Sequence, residues 1–177
     1  MQFLIDFMVL PKRKEIRLKE YDYSAVGSYF ITFCVQDKKQ ILSSIHVGAL
    51  HEAPEVKLTQ YGKEVKNVIE TVEKRFDVIV DEYVIMPNHV HIIITIKTDC
   101  SERAIHESPL RGRSVISKIV GYIKMNSSKE IHNINPALKV WQRSYYDHII
   151  RNEADYLEKL NYILTNPAKW IEDEYFE

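Results

Sequence analysis

The sequence is short of cysteine, of net charge and of long apolar runs, and each shortage removes a class of protein. Among 177 residues only Cys34 and Cys100 are cysteines. They are too few and too scattered for a disulfide framework or a cysteine-based zinc site, so a reducing, cytoplasmic setting is the expectation. The formal net charge is −1, with a pI near 6.7. No global basic field advertises nucleic acid, and any such surface must come from local clusters. The apolar opening, Met1 to Leu10, is too short to span a membrane. It also makes a poor signal peptide, because Asp6 interrupts it, its basic residues follow it, and no small-residue cleavage site appears. An added edge strand or an extension from an upstream start codon is the expected role, and residues 1–15 are set apart as an extension or arm. No repeat and no low-complexity tract is present.

What is present is ordinary for one globular domain over residues 1–177: 45% hydrophobic and 28% charged residues, enough chain for a good core. The chain is organised around Met86-Pro87-Asn88-His89-Val90-His91 and the isoleucines that follow. Residues i and i+2 of a strand share a face, so His89 and His91 present two imidazoles side by side. Such pairs often only hydrogen-bond their neighbours, yet two imidazoles on one strand are also half of a divalent-metal site. Pro87-Asn88 stops the preceding strand abruptly, which predicts that the histidines lie at a sheet edge.

Taken in order, the chain first offers five basic residues between Lys12 and Lys19, a solvated or phosphate-contacting arm. A strand is predicted over 28–35, rich in aromatic and β-branched residues, and a long connection over 37–57. Val65, Val68, Ile69 and Val72 predict a helix from Leu58 to Phe76, capped by Thr59 and weakened by Gly62. Strands follow over 77–86 and 89–97 as a hairpin. Residues 98–113 read as a mobile loop carrying Arg103, Arg111 and Arg113. Ser114 caps a second helix with Val115, Ile116, Ile119, Val120 and Ile123 inward. A short strand lies within 140–151, and Asn152 caps a third helix that ends near Asn166-Pro167. This order predicts an α+β fold, a ferredoxin-like antiparallel sheet covered by helices.

On the last helix, Leu157, Leu160 and Leu164 form a stripe expected to face the core. At ~100° per residue, Tyr162 lies ~140° from Leu157, while Asn166 falls within ~40° of Tyr162, one turn on. A phenol and a carboxamide thus share a face off the leucine stripe, although Pro167 disfavours helical geometry at Asn166.

The segments Met86 to His91, Trp141 to Glu153 and Tyr162-Ile163-Leu164-Thr165-Asn166-Pro167, with Arg17 to Ser24 and Tyr29 to Thr32 before them, resemble the REP-associated tyrosine transposases. Those are relatives of the insertion-sequence transposases of the single-tyrosine HUH class. The resemblance covers nearly the whole chain in order. It implies an HUH-endonuclease fold and metal-dependent cleavage and transfer of single-stranded DNA beside a hairpin. His89 and His91 would match the metal ligands and Tyr162 the nucleophile, forming a covalent 5′-phosphotyrosine. Asn166 would match the third ligand, where the insertion-sequence branch carries glutamine. Mg²⁺ or Mn²⁺ is the implied ion. Lys12, Arg13, Lys14, Arg17, Arg111, Arg113 and Arg151 are the candidates to hold DNA. Either a monomer or a homodimer is compatible with it.

Two other enzyme classes use clustered histidines. The histidine-triad hydrolases need a third histidine where Ile93 stands, and the amidohydrolases need a barrel larger than this chain. The remaining rival is a domesticated DNA-hairpin-binding protein that does not cut, which intact His89, His91 and Tyr162 disfavour.

Overall fold

The computed structural model describes residues 22–46, 54–97 and 114–176. Six strands and four α-helices follow in order: β1 (Gly27–Cys34), β2 (Ser43–His46), β3 (Glu55–Leu58), α1 (Gln60–Ile69), α2 (Val72–Arg75), β4 (Val78–Ile85), β5 (His89–Ile96), α3 (Val115–Ile134), β6 (Tyr146–Ile150) and α4 (Glu153–Thr165). Four strands make one antiparallel sheet in the order β4-β5-β1-β6. With α1 and α3 as the crossovers, this is the ferredoxin-like βαββαβ arrangement expected from the sequence.

Both faces of the sheet are covered, which explains why β5 is apolar almost without interruption. Val90, Ile92, Ile94 and Ile96 join Tyr29, Ile31 and Phe33 of β1 in the main core, beneath Val65 and Ile69 of α1 and Ile116, Ile119 and Ile123 of α3. The alternate residues Phe30 and Ile93 meet Ile163 of α4 on the opposite face. His89 and His91 share that second face by the strand period of two.

The three predicted caps are formed: Thr59 accepts from the Gly62 amide, Ser114 from Ser117 and Asn152 from Asp155. Gly62, read from sequence as a weak first turn, is required by close packing, since a Cβ there would meet the Leu42 carbonyl oxygen at 2.0 Å. The single helix predicted over 58–76 is broken at Glu70-Thr71. There the Val68 carbonyl accepts from both the Thr71 amide at 3.0 Å and the Thr71 hydroxyl at 2.6 Å, a tightened last turn. The predicted long connection contains the β2–β3 pair, joined from Ser43↔Leu58 to His46↔Glu55.

Two further expectations are corrected. The histidines do not lie at a sheet edge: β5 is an interior strand, with His91 opposite Thr32 on one side and Val84 on the other. They sit at its N-terminal end. Nor does the leucine stripe of α4 face the core, for Leu157 and Leu164 are exposed. The buried row is Tyr156, Leu160 and Ile163. The helix carries two apolar rows that share Leu160, and its lie over β4 and β5 selects between them.

Candidate functional site

The site begins at the turn between β4 and β5. Asn88 is wholly buried, and its Nδ2 donates to the carbonyls of Lys38 (3.2 Å) and Tyr175 (2.7 Å). Those two bonds fix the carboxamide, so Oδ1 faces His89 Nδ1 at 2.8 Å and the imidazole must donate. His89 Nε2 therefore carries a lone pair. It points at His91 Nε2, 2.8 Å away, while His91 Nδ1 lies 2.7 Å from the Thr32 hydroxyl. Thr32 can donate or accept, so His91 can present Nε2 either as a proton donor to His89 or as a second lone pair. The second arrangement needs a cation between the rings.

Burial lowers the pKa of His89 to about 4, with Asp173 pulling upward and Lys38 adding a smaller downward push. Burial, then the neighbouring His89, lowers His91 as well. Both rings are thus neutral at neutral pH, the form that binds metal.

The tyrosine comes from α4. Tyr162 lies edge-on to His91 (ring centroids 5.1 Å) and to Phe30 (5.8 Å), and Phe30 stacks on His91 at 5.3 Å. Its ring remains partly exposed. Burial, then Asp173 and Glu174, raises its pKa to about 12, opposed by a hydrogen bond with the Asn166 side chain. The phenol is therefore protonated at neutral pH. A cleft of about 200 Å³ beside it is lined by Phe30, Thr32, His91, Tyr146, Lys159, Tyr162, Glu174 and Tyr175.

Asn166 keeps helical angles (φ −54°, ψ −43°) despite Pro167. The chain does not stop there but runs on through a 3-10 turn, Asn166–Glu172. This brings Asp173 back to the histidines: its carboxylate and the two imidazoles each offer a ligand atom within 4.8 Å of the others. Asn166 Nδ2 donates to Asp173 Oδ2 at 2.7 Å, and the buried Asn166 Oδ1 has no hydrogen-bond partner. Tyr175 follows, its ring 4.5 Å from that of His89.

These donors suit a divalent ion. The lone pair of His89 Nε2, facing His91 Nε2, and the orphaned Asn166 amide oxygen are groups that a cation would satisfy. The 2.8 Å Nε2–Nε2 separation is near the ~3 Å expected of adjacent ligands in an octahedral site. A tetrahedral zinc site would spread them to roughly 3.4 Å.

The structure thus brings His89, His91, Tyr162 and Asn166 together. Arg151 is exposed and lies beyond β6 at the end of the sheet far from the histidines. Lys12, Arg13, Lys14, Arg17, Arg103, Arg111 and Arg113, with the proposed arm and loop, fall outside the described residues. Sequence reading missed Asp173, Tyr175, Thr32 and Lys159. Nothing in their spacing ties them to the histidines. Asn88 was read only as a turn residue, although its place beside His89 was the available signal.

A family model described as transposase, IS200-like, matches residues 27–108. A Haemophilus influenzae protein described as uncharacterized is 36% identical over 173 residues, covering 93% of each chain. Residues 27–108 thus carry an IS200-like transposase domain. A second Haemophilus influenzae protein, assigned by name to the REP-associated tyrosine transposases, is 22% identical over 148 residues, 84% of this chain and 74% of its own. The fold also matches a solved REP-associated tyrosine transposase, bound there to a REP hairpin, with TM-score 0.58 and 20% identity over 87% of this chain and 73% of that one. A transposase domain implies a DNA-cleaving enzyme. Among the described residues no helix is long and apolar enough to cross a membrane.

Proposed function

We propose that this transposase cleaves and rejoins single-stranded DNA beside a hairpin through a covalent bond between Tyr162 and a 5′-phosphate. The observation that carries the reading is the convergence of Tyr162 on the buried His89–His91 pair, 5.1 Å from ring to ring. His89 and His91, with the Asn166 carboxamide oxygen, would hold a divalent ion, Mg²⁺ or Mn²⁺. When bound, such an ion makes a phosphodiester electrophilic and offsets charge on the departing oxygen.

The protein's own groups supply the rest. The Tyr162 oxygen forms a bond to phosphorus and loses its proton, the bond from phosphorus to the 3′-oxygen breaks, and that oxygen takes up a proton to leave a 3′-hydroxyl. The phosphotyrosine retains the energy of the diester, so attack by another 3′-hydroxyl rejoins DNA without ATP. Phe30 fixes the plane of the Tyr162 ring, Thr32 and Asn88 orient the imidazoles, and Lys159 lines the cleft as a cation for the phosphate. Arg151 and the basic residues Lys12, Arg13, Lys14, Arg17, Arg111 and Arg113 would grip flanking DNA. The whole chain would act as one domain.

The test is a covalent-adduct assay with hairpin-bearing single-stranded DNA and Mn²⁺ or Mg²⁺ on a denaturing gel. A shifted protein–DNA band is expected, abolished by EDTA and by Tyr162→Phe, with hairpin binding by the variant kept within about three-fold. Hairpin binding without an adduct under either ion would favour a non-cutting binding protein.

A further inference from the structure

We infer that Asp173 is an anionic ligand of the divalent ion held by His89 and His91, so that metal occupancy and docking of the C-terminal segment 166–176 stabilise one another. The inference rests on the proposed metal site and adds a donor from a different part of the chain.

Three observations carry it. The Asp173 carboxylate shares a 4.8 Å sphere with the imidazole donors, both of them buried. Its orientation is imposed from two sides, Oδ2 accepting from Asn166 Nδ2 and Oδ1 from the Tyr175 amide, each at 2.7 Å. The segment that carries it is then fastened to the histidine strand. The Tyr175 carbonyl accepts from Asn88, the Tyr175 ring packs on His89, and the Trp170 ring lies 6.0 Å from that of His89.

The chemistry of such a donor set is specific. Two neutral imidazoles and one carboxylate leave a divalent ion with net positive charge, still attractive to phosphate. The carboxylate adds a hard, charged oxygen donor that Mn²⁺ and Mg²⁺ accept more readily than two imidazoles alone. Because Asp173 reaches the site only when its segment is docked, linkage requires the ion to hold the segment as strongly as the segment holds the ion. Asn166 then has a positioning part, its amide N–H aiming the Asp173 carboxylate.

Mn²⁺ binding to the full chain, followed by the loss of the free-ion electron paramagnetic resonance signal, tests this without any DNA. Hydrogen exchange over 166–176 reports docking in parallel. One Mn²⁺ per chain is expected, with slower exchange in that segment on binding. Asp173→Asn should weaken Mn²⁺ by at least about tenfold and abolish the metal-dependent slowing. Its metal-free exchange should stay unchanged, since the variant's amide can be met by a flipped Asn166. If that variant does loosen the segment without metal, Tyr175→Ala, which leaves the carboxylate in place, sets the baseline. An equal loss of affinity in both would overturn the inference, as would wild-type affinity in Asp173→Asn. His89→Ala separates the two levels: binding undiminished in that variant sinks the metal site itself, whereas binding lost there and retained in Asp173→Asn sinks only the ligand.

Discussion

Replacing Asn88 by alanine tests the idea that one buried carboxamide sets both the histidine tautomer and the seat of the C-terminal segment. Asn88 makes three hydrogen bonds: from His89 Nδ1 at 2.8 Å, to the Lys38 carbonyl at 3.2 Å and to the Tyr175 carbonyl at 2.7 Å. Alanine strands all three partners. The two carbonyls belong to half-buried residues that water can partly reach, so about 1 kcal/mol each is a fair cost. The His89 N–H is fully enclosed and costs about 2 kcal/mol. The sum, roughly 4 kcal/mol, is a large share of the 5–15 kcal/mol that typically holds a domain together. With a urea slope of about 2 kcal/mol/M, the unfolding midpoint should fall by about 2 M. The same substitution frees His89 to change tautomer, and Mn²⁺ affinity should drop about 10- to 100-fold. Urea titration, Mn²⁺ binding and ¹H–¹⁵N long-range NMR of the imidazoles read the three effects separately. A stability loss under about 1 kcal/mol, or a variant in which His89 still carries its proton on Nδ1, would refute the reasoning.

Other outcomes follow from the same geometry. The pKa of buried His89 is lowered to about 4 against a usual 6.5, so the unfolded chain binds the extra proton between those values. Stability of the metal-free protein should then be flat above pH 6.5 and decline as pH falls from 6.5 toward 4, as thermal melts across that range will measure. A decline beginning above pH 7 would contradict the neutral pair. Gly62→Ala should destabilise by more than about 2 kcal/mol, because its Cβ would collide with backbone rather than a movable side chain. A urea melt within 0.5 kcal/mol of wild type, roughly the limit for a surface change, would show the contact can relax. Tyr162→Phe should remove the covalent adduct while leaving the melt within about 0.5 kcal/mol, since ring packing on Phe30 and His91 survives.

Much of this protein is written locally. The period-two pattern of β1, the isoleucines of β5 and the amphipathic spacing of α1 and α3 each follow from a few adjacent residues, and so do the caps at Thr59, Ser114 and Asn152. His89 and His91 share a face because strand geometry allows nothing else, and the helix repeat separates Tyr162 from a leucine row by the same kind of rule. These are short-range consequences of backbone geometry, and sequence carries them. The choice between the two apolar rows of α4 was not legible, since both satisfy the helix period and only the sheet beneath decides which is buried. The interior position of β5 was equally hidden, because strand order depends on pairing partners about sixty residues apart. Asp173 and Tyr175 reach the histidines through a turn that begins at Asn166, and no spacing along the chain encodes an approach across more than eighty residues. Sequence alone determined the strand that carries the imidazoles and the helix that carries the phenol. Tertiary packing decided what faces them, because contacts between distant segments depend on the closure of the whole core rather than on any local preference.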